Sequence, residues 1–146
     1  DGIRDDLVTG VQTCALPIFQ QSEAFCVLLK QAGCDFIHVS SGGVSPQQKI
    51  QLGDGYQLPF ARGIRAATGL VTTAVGLITR PEQAEDILQN GDADLVALAR
   101  GFLYQPRWGW QAAAALGAQV EAFPTYWRCM PREAQTIFKV AGVGQR

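Results

Sequence analysis

The stretch that decides the fold runs from Leu70 to Leu103 and begins LVTTAVGLIT over residues 70–79. A segment of helical period follows, and residues 93–103 then read ADLVALARGFL. Two short apolar runs on either side of a helical segment are typical of a β-α-β unit. The first run ends at Gly76, where the backbone is flexible, and the second at Arg100, which carries a guanidinium. Since (β/α)8 barrels commonly bind phosphate after their last two strands, these strand ends predict an anion site.

Upstream of this stretch, the sequence predicts a helix, a strand and a second helix. Ser22–Ala32 alternates apolar and polar faces at helical spacing, with Gly33 as the C-terminal cap. The apolar FIHV over residues 36–39 indicates a buried strand, and Val44–Gln57 has no clear period, which favours a long loop. A short helix is expected over Pro59–Gly69.

Two predicted features define the helix between the two apolar runs. Thr79 and Glu82 are spaced as a capping box at its start, and Gly91 closes it. Ala84, Ile87 and Leu88 fall on one face, which should pack against the sheet.

Downstream, the sequence predicts a last strand, a covering helix, an arm and a closing helix. Their bounds are Asp94–Ala99, Pro106–Leu116, Pro124–Pro131 (extended) and Arg132–Val140. Three strand–helix units after a leading helix are less than half of a barrel of roughly 250 residues. The expected fold class is therefore α/β, as the C-terminal portion of a TIM (β/α)8 barrel.

The first eighteen residues do not resemble a natural protein sequence. Residues 8–18, VTGVQTCALPI, are what one reading frame of a common short-read sequencing adapter encodes. A signal peptide is not expected, because a basic start and a longer apolar core are missing. We therefore expect residues 1–18 to be non-native and residues 19–146 to be natural, beginning at Phe19.

Composition narrows the possible partners. The chain of 146 residues carries a net charge of −1 without a basic stripe, which argues against nucleic-acid binding. No apolar run reaches the roughly 18–20 residues that a membrane span needs. Cys26, Cys34 and Cys129 form no Cys-x-x-Cys motif, so reduced thiols in a cytoplasmic protein are expected.

Three motifs in register resemble the old yellow enzyme family, most closely its bacterial ene-reductase branch. They are AVG at residues 74–76, ARG at residues 99–101 and DFIHVSSGG at residues 35–43, within a resemblance that runs from about Ala24 to Phe138. The resemblance implies an FMN-binding (β/α)8 barrel reduced by NADPH or NADH. Residues 19–146 would be its C-terminal part.

The resemblance also implies the cofactor contacts. In the family, the matching positions bind the FMN phosphate through backbone N–H groups, here Gly76, Leu77, Ala99 and Arg100, and Ala99 stands where many members have glycine. Ser41 and Gly42, within the small-residue run Ser40–Gly43, would lie near the isoalloxazine ring. The residues alone also allow a plainer interpretation, with turns at the glycines and a surface ion pair at Arg100.

A second site is implied near the C-terminus. In this branch, a C-terminal arginine beside aromatic residues reaches the partner subunit's active site, and Arg128 matches it, with Tyr126 or Trp127 near the flavin edge. The alternative is an arm whose aromatics pack on their own barrel. His38, the single histidine, is expected to be a hydrogen-bonded structural residue rather than a catalytic one.

The resemblance implies an oxidoreductase that passes hydride from NAD(P)H through flavin to an α,β-unsaturated small molecule, in a cytoplasmic homo-oligomer. No metal site and no catalytic side chain are expected within this segment, because the family's substrate-orienting histidine pair lies upstream. The segment alone should be inactive and poorly folded, since an opened barrel exposes strand edges. One alternative is part of a phosphosugar isomerase or aldolase barrel, and another is a non-enzymatic interaction module.

Overall fold

The computed structural model describes residues 15–42, 47 and 49–140. The described residues form two compact units, the first from residues up to 79 with 84–98, and the second from residues 80–83 with 99–140. In chain order the elements are α1 (Ala15–Gln31), β1 (Phe36–Val39), α2 (Leu58–Thr68), β2 (Val71–Ala74), α3 (Pro81–Gln89), β3 (Leu95–Val96), α4 (Ala99–Tyr104), α5 (Trp108–Ala115), β4 (Val120–Ala122), a 3₁₀ helix (Pro124–Cys129) and β5 (Phe138–Val140).

The first unit is built on a parallel sheet in the order β1-β2-β3. Phe36 pairs with Val71 and Val39 with Ala74, and β3 continues the register with Leu95 beside Thr73. Parallel strands need crossover connections, and α2 and α3 provide them. The β-α-β prediction is therefore confirmed, and the chain has the α/β class expected from its sequence.

One face of this sheet is covered, and the other is largely open, although Thr73 on that face is buried. Thr72 and Ala74 on the covered face are 0% and 1% exposed, whereas Phe36, Val71 and Leu95 on the opposite face are 56%, 44% and 49% exposed. The prediction of a buried strand over β1 is therefore wrong for one of its two faces, because only the other face packs within the unit.

The helices of the first unit largely follow the sequence signals. α2 contains Pro59 in its first turn and ends at Gly69, whose φ is 63°, as the left-handed cap requires. α1 begins at Ala15 rather than at Ser22. Pro17 does not prevent this earlier start, because proline is tolerated in the first turn of a helix.

α3 packs through Ala84 and Ile87, which are 6% and 4% exposed. Leu88, which was predicted to share this face, is 36% exposed, so that part of the prediction is wrong. Leu88 therefore lies on a more exposed side of the helix than its neighbour Ile87. The capping box at Thr79 stays a prediction.

The second unit departs most from the sequence prediction. The predicted strand to Ala99 ends at Val96, and Ala99 begins the helix α4, which the sequence did not predict. The predicted extended arm is the 3₁₀ helix, and the predicted closing helix ends instead in β5, parallel to β4. Local pattern failed here because Ile137 and Phe138 are buried with Ala113 and Ala122, a tertiary core that overrides helical periodicity.

Across the residues that the structure describes, no helix is long and apolar enough to cross a bilayer.

Candidate functional site

The turn after β2 has an unusual backbone. Gly76 has a φ of 115° and Leu77 a φ of 50°, so two successive residues lie in the region that L-residues avoid. The Gly55 N–H donates to the Gly76 carbonyl at 3.0 Å. A Cβ on Gly76 would lie 3.0 Å from Cε1 of Tyr56. Glycine is therefore required at position 76 by its φ and by the Tyr56 ring.

The end of β1 is held by a side chain from the long loop. The Ser41 N–H donates to Oε1 of Gln57 at 2.8 Å, and both residues are buried. Gly42 follows with a φ of 73°, which makes the chain turn here. Gly43, the last residue of the predicted small-residue run, lies outside the described residues. Ser41 and Gly76 thus follow neighbouring parallel strands at the same edge of the sheet.

The other predicted phosphate contacts belong to the second unit. Ala99 and Arg100 form the first turn of α4, where backbone N–H groups have no intrahelical acceptor. Both residues are exposed. Within the described part of the chain, Arg100 has no ion-pair partner, so the plainer interpretation as a surface ion pair finds no support there.

The C-terminal aromatics divide between two environments. Nε1 of Trp127 donates to the Ala122 carbonyl at 3.1 Å, so Trp127 packs on the core of its own unit. Tyr126 is 41% exposed and stacks edge-on with Trp110, with ring centroids 5.6 Å apart. The Arg107 guanidinium lies 4.2 Å from the Trp110 centroid and 4.9 Å from that of Tyr126. Trp127 thus packs within its own unit, as in the alternative of an arm whose aromatics pack on their own barrel. Tyr126 keeps an exposed face.

Arg128 lies beside these aromatics and is exposed. Among the described residues it forms no ion pair, which leaves its charge uncompensated there.

His38 differs from its prediction. It is exposed on the open face of the sheet, and its ring takes part in no hydrogen bond among the described residues. The prediction of a hydrogen-bonded structural histidine is wrong, because it assumed that both faces of β1 are covered. His38 also borders a cavity of about 260 Å³ between α1, β1 and α2, whose lining includes Phe19, Phe25, Cys26, Phe60 and Ile64.

The surroundings of Cys26 and Asp94 shift the pKa values of these two groups. Burial raises the pKa of the Cys26 thiol, with smaller contributions from Cys34 and Glu23, which suits an unreactive core cysteine. The pKa of Asp94 is lowered, chiefly by the Arg65 hydrogen bond and then by the Thr72 N–H.

Sequence reasoning missed Gln57, Tyr56 and Arg107. Gln57 is the last residue of the predicted loop, and nothing in its neighbours signals that its amide is buried. The aromatic pair that flanks Arg107 lies 16 residues apart in sequence, so only the folded second unit shows the stack.

Comparison with known proteins gives consistent matches. Residues 18–119 match the NADH:flavin oxidoreductase / NADH oxidase family. An NADPH dehydrogenase of Geobacillus sp. (strain WCH70) is 51% identical over 100 residues, which are 68% of this chain and 29% of that protein. NADPH dehydrogenases of Bacillus licheniformis and Listeria innocua are 48% and 43% identical over 66% and 71% of this chain. The matched segment spans 28% and 30% of their lengths.

Proposed function

Because the chain belongs to the NADH:flavin oxidoreductase / NADH oxidase family, we propose that it is the C-terminal FMN-binding part of an NADPH-dependent ene-reductase. Bound FMN would supply the hydride-transfer chemistry between the nicotinamide and an activated C=C bond of a small α,β-unsaturated compound. This segment contributes flavin contacts and no acid or base. The complete protein is proposed to work in the cytoplasm.

The observation that carries the proposal is the sheet edge formed by the ends of β1 and β2. Residues with positive φ follow both strands, Gly42 after β1 and Gly76 with Leu77 after β2. Ligands of α/β folds bind at the carboxyl ends of parallel strands, where such backbone can approach a cofactor closely. The family match covers both strand ends.

The proposed phosphate contacts carry the chemical groups that the phosphate end of FMN needs. A phosphate dianion needs several N–H donors and a cation. In the first unit, the turn at Gly76 and Leu77 would supply backbone donors. In the second, the first turn of α4 at Ala99 and Arg100 would supply backbone donors and a guanidinium without a carboxylate partner among the described residues. Ser41 and Gly42 would contact the flavin ring.

We also propose that Arg128 and the open face of Tyr126 serve the active site of a neighbouring subunit. An exposed guanidinium beside an exposed aromatic face suits an anionic or carbonyl-bearing ligand. Arg107 would hold Tyr126 in orientation for this contact.

The test uses the full-length gene that carries this segment, recovered from the source DNA. The purified protein should show the two visible bands of bound flavin and oxidise NADPH when 2-cyclohexenone is added. Arg100→Ala should weaken FMN binding by about tenfold, the scale of one charge-assisted contact.

Arg132→Ala is the matched control, because Arg132 is also exposed and should leave FMN binding unchanged. A colourless full-length protein that binds a sugar phosphate would instead support the isomerase or aldolase alternative. The 146-residue chain alone should show no turnover, and NADPH-dependent reduction by that chain would contradict the proposal.

A further inference from the structure

Gln57 is a buried polar side chain beside the proposed flavin contacts. The residue is 5% exposed, and both ends of its amide are used. Oε1 accepts from the Ser41 N–H at 2.8 Å, and Nε2 donates to the Tyr56 hydroxyl at 2.5 Å. A buried amide is costly unless both ends are paired, so this arrangement specifies one orientation of the side chain.

The same loop segment also holds the turn after β2. The Gly55 N–H donates to the Gly76 carbonyl at 3.0 Å. A Cβ on Gly76 would lie 3.0 Å from Tyr56 Cε1 and 3.2 Å from Gln57 Cγ, so Tyr56 and Gln57 pack directly on the Gly76 backbone. Gly55, Tyr56 and Gln57 therefore contact Gly76 while Gln57 also holds Ser41.

This connection begins where the sheet stops. The β1–β2 register ends at the pair Val39 and Ala74, two residues before Ser41 and Gly76. Beyond that pair, the Gln57 amide and its neighbours connect the segments that follow β1 and β2. Ser41 and Gly76 are thus connected through a third segment, residues 55–57.

We infer that Gln57 is a positioning residue of the flavin site. The inference rests on the proposed function, in which Ser41 lies at the ring and Gly76 at the phosphate. Gln57 does not contact the cofactor in this role. It holds in place two backbone segments that must contact the two ends of one ligand at the same time, and such preorganisation contributes to affinity.

The test compares variants in the full-length holoenzyme. Gln57→Leu removes both hydrogen bonds and should weaken FMN binding to the apoprotein about tenfold, with a shift of the visible flavin bands. Gln57→Glu keeps an acceptor for the Ser41 N–H, and its carboxylate can accept from the Tyr56 hydroxyl, so affinity and spectrum should return toward wild type. Gln51→Leu, an exposed glutamine in the same loop, is the control and should change neither.

Tyr56→Phe gives a milder perturbation should Gln57→Leu fail to fold. It removes the acceptor of Nε2 and leaves the Ser41 contact, so the loss of affinity should be intermediate. Positioning predicts that Gln57→Glu rescues the flavin spectrum, which general destabilisation would not do.

The outcomes separate the two proposals. A wild-type protein without flavin overturns the proposed function, and this inference with it. A flavin-loaded wild type whose folded Gln57→Leu or Tyr56→Phe variant has the same FMN dissociation constant and spectrum overturns this inference alone.

Discussion

At the scale of single residues, the predicted cofactor contacts stay proposals, but the structure explains why one of them has its residue type. Gly76 is glycine because of its φ and the Tyr56 ring. Arg100 is exposed and has no carboxylate partner among the described residues. Sequence spacing suggested both positions without these reasons, since neither φ nor the Tyr56 contact can be read from a motif.

Gly76→Ala should destabilise the chain by about 1–3 kcal/mol, because a side chain at this φ is strained and its Cβ would press on Tyr56. Urea unfolding of the full-length protein that carries this segment measures the change. Gly53→Ala is the matched control, because a Cβ there meets nothing within 4 Å. Equal unfolding midpoints for the two variants would show that the turn is not held as described.

At the scale of elements, the helices of the first unit were largely predicted, whereas the elements of the second unit were predicted poorly. Helix α2 carries its own start and stop signals in Pro59 and Gly69. β4 and β5 have three residues each, too few for a period-2 pattern to be recognised. Their pairing depends on a core that joins distant segments of the chain.

Ile87 and Leu88 are adjacent on helix α3, but only Ile87 should contribute much to the stability of the fold. Ile87→Ala removes a side chain that is 4% exposed and should cost about 2–5 kcal/mol of unfolding free energy. Leu88→Ala, next to it and 36% exposed, should cost much less. Thermal unfolding of both variants checks the difference, and comparable losses would contradict the assigned packing face.

The start of β3 is tied to α2 by an ion pair that should respond to acid. Asp94 accepts from Nε of Arg65 at 3.0 and 3.1 Å and from the Thr72 N–H at 2.9 Å, and these hydrogen bonds hold its pKa below the ordinary value of 3.8. A lowered folded-state pKa means that the stabilisation is complete above pH 3.8 and is lost as the pH falls through the lower folded-state pKa.

Asp94→Asn should therefore lower the unfolding midpoint at neutral pH and flatten its decline in acid. Asp86→Asn, at an exposed position on α3, should leave both unchanged. A wild-type acid response that survives in Asp94→Asn would assign the effect to other groups.

At the scale of the whole molecule, the first unit carries an incomplete sheet. Phe36, Val71 and Leu95 leave one face about half exposed. Such an open apolar face is the physical basis for proposing that this segment belongs within a closed barrel and is poorly folded alone. The matched segment covers 29% of the length of the Geobacillus relative, which fits that proposal.

Phe36→Lys should reduce self-association of the isolated chain, since it places a charge on the open face of an edge strand. Light scattering against concentration measures this effect. Leu52→Lys changes the charge equally at an exposed loop position and should have a smaller effect. Equal scattering by both variants would show that net charge, not the sheet face, controls association.

The sequence by itself determined the local units: the β-α-β order, the limits of α2 and the family. These depend on hydrophobic period, on proline and glycine geometry and on short motifs, all of which act within a few residues. Only the tertiary structure decided which face of β1 is open, how β4 pairs with β5, and that Gln57 joins Ser41 to the turn at Gly76. Those features depend on which surfaces remain uncovered and on contacts between distant residues, which no local pattern encodes.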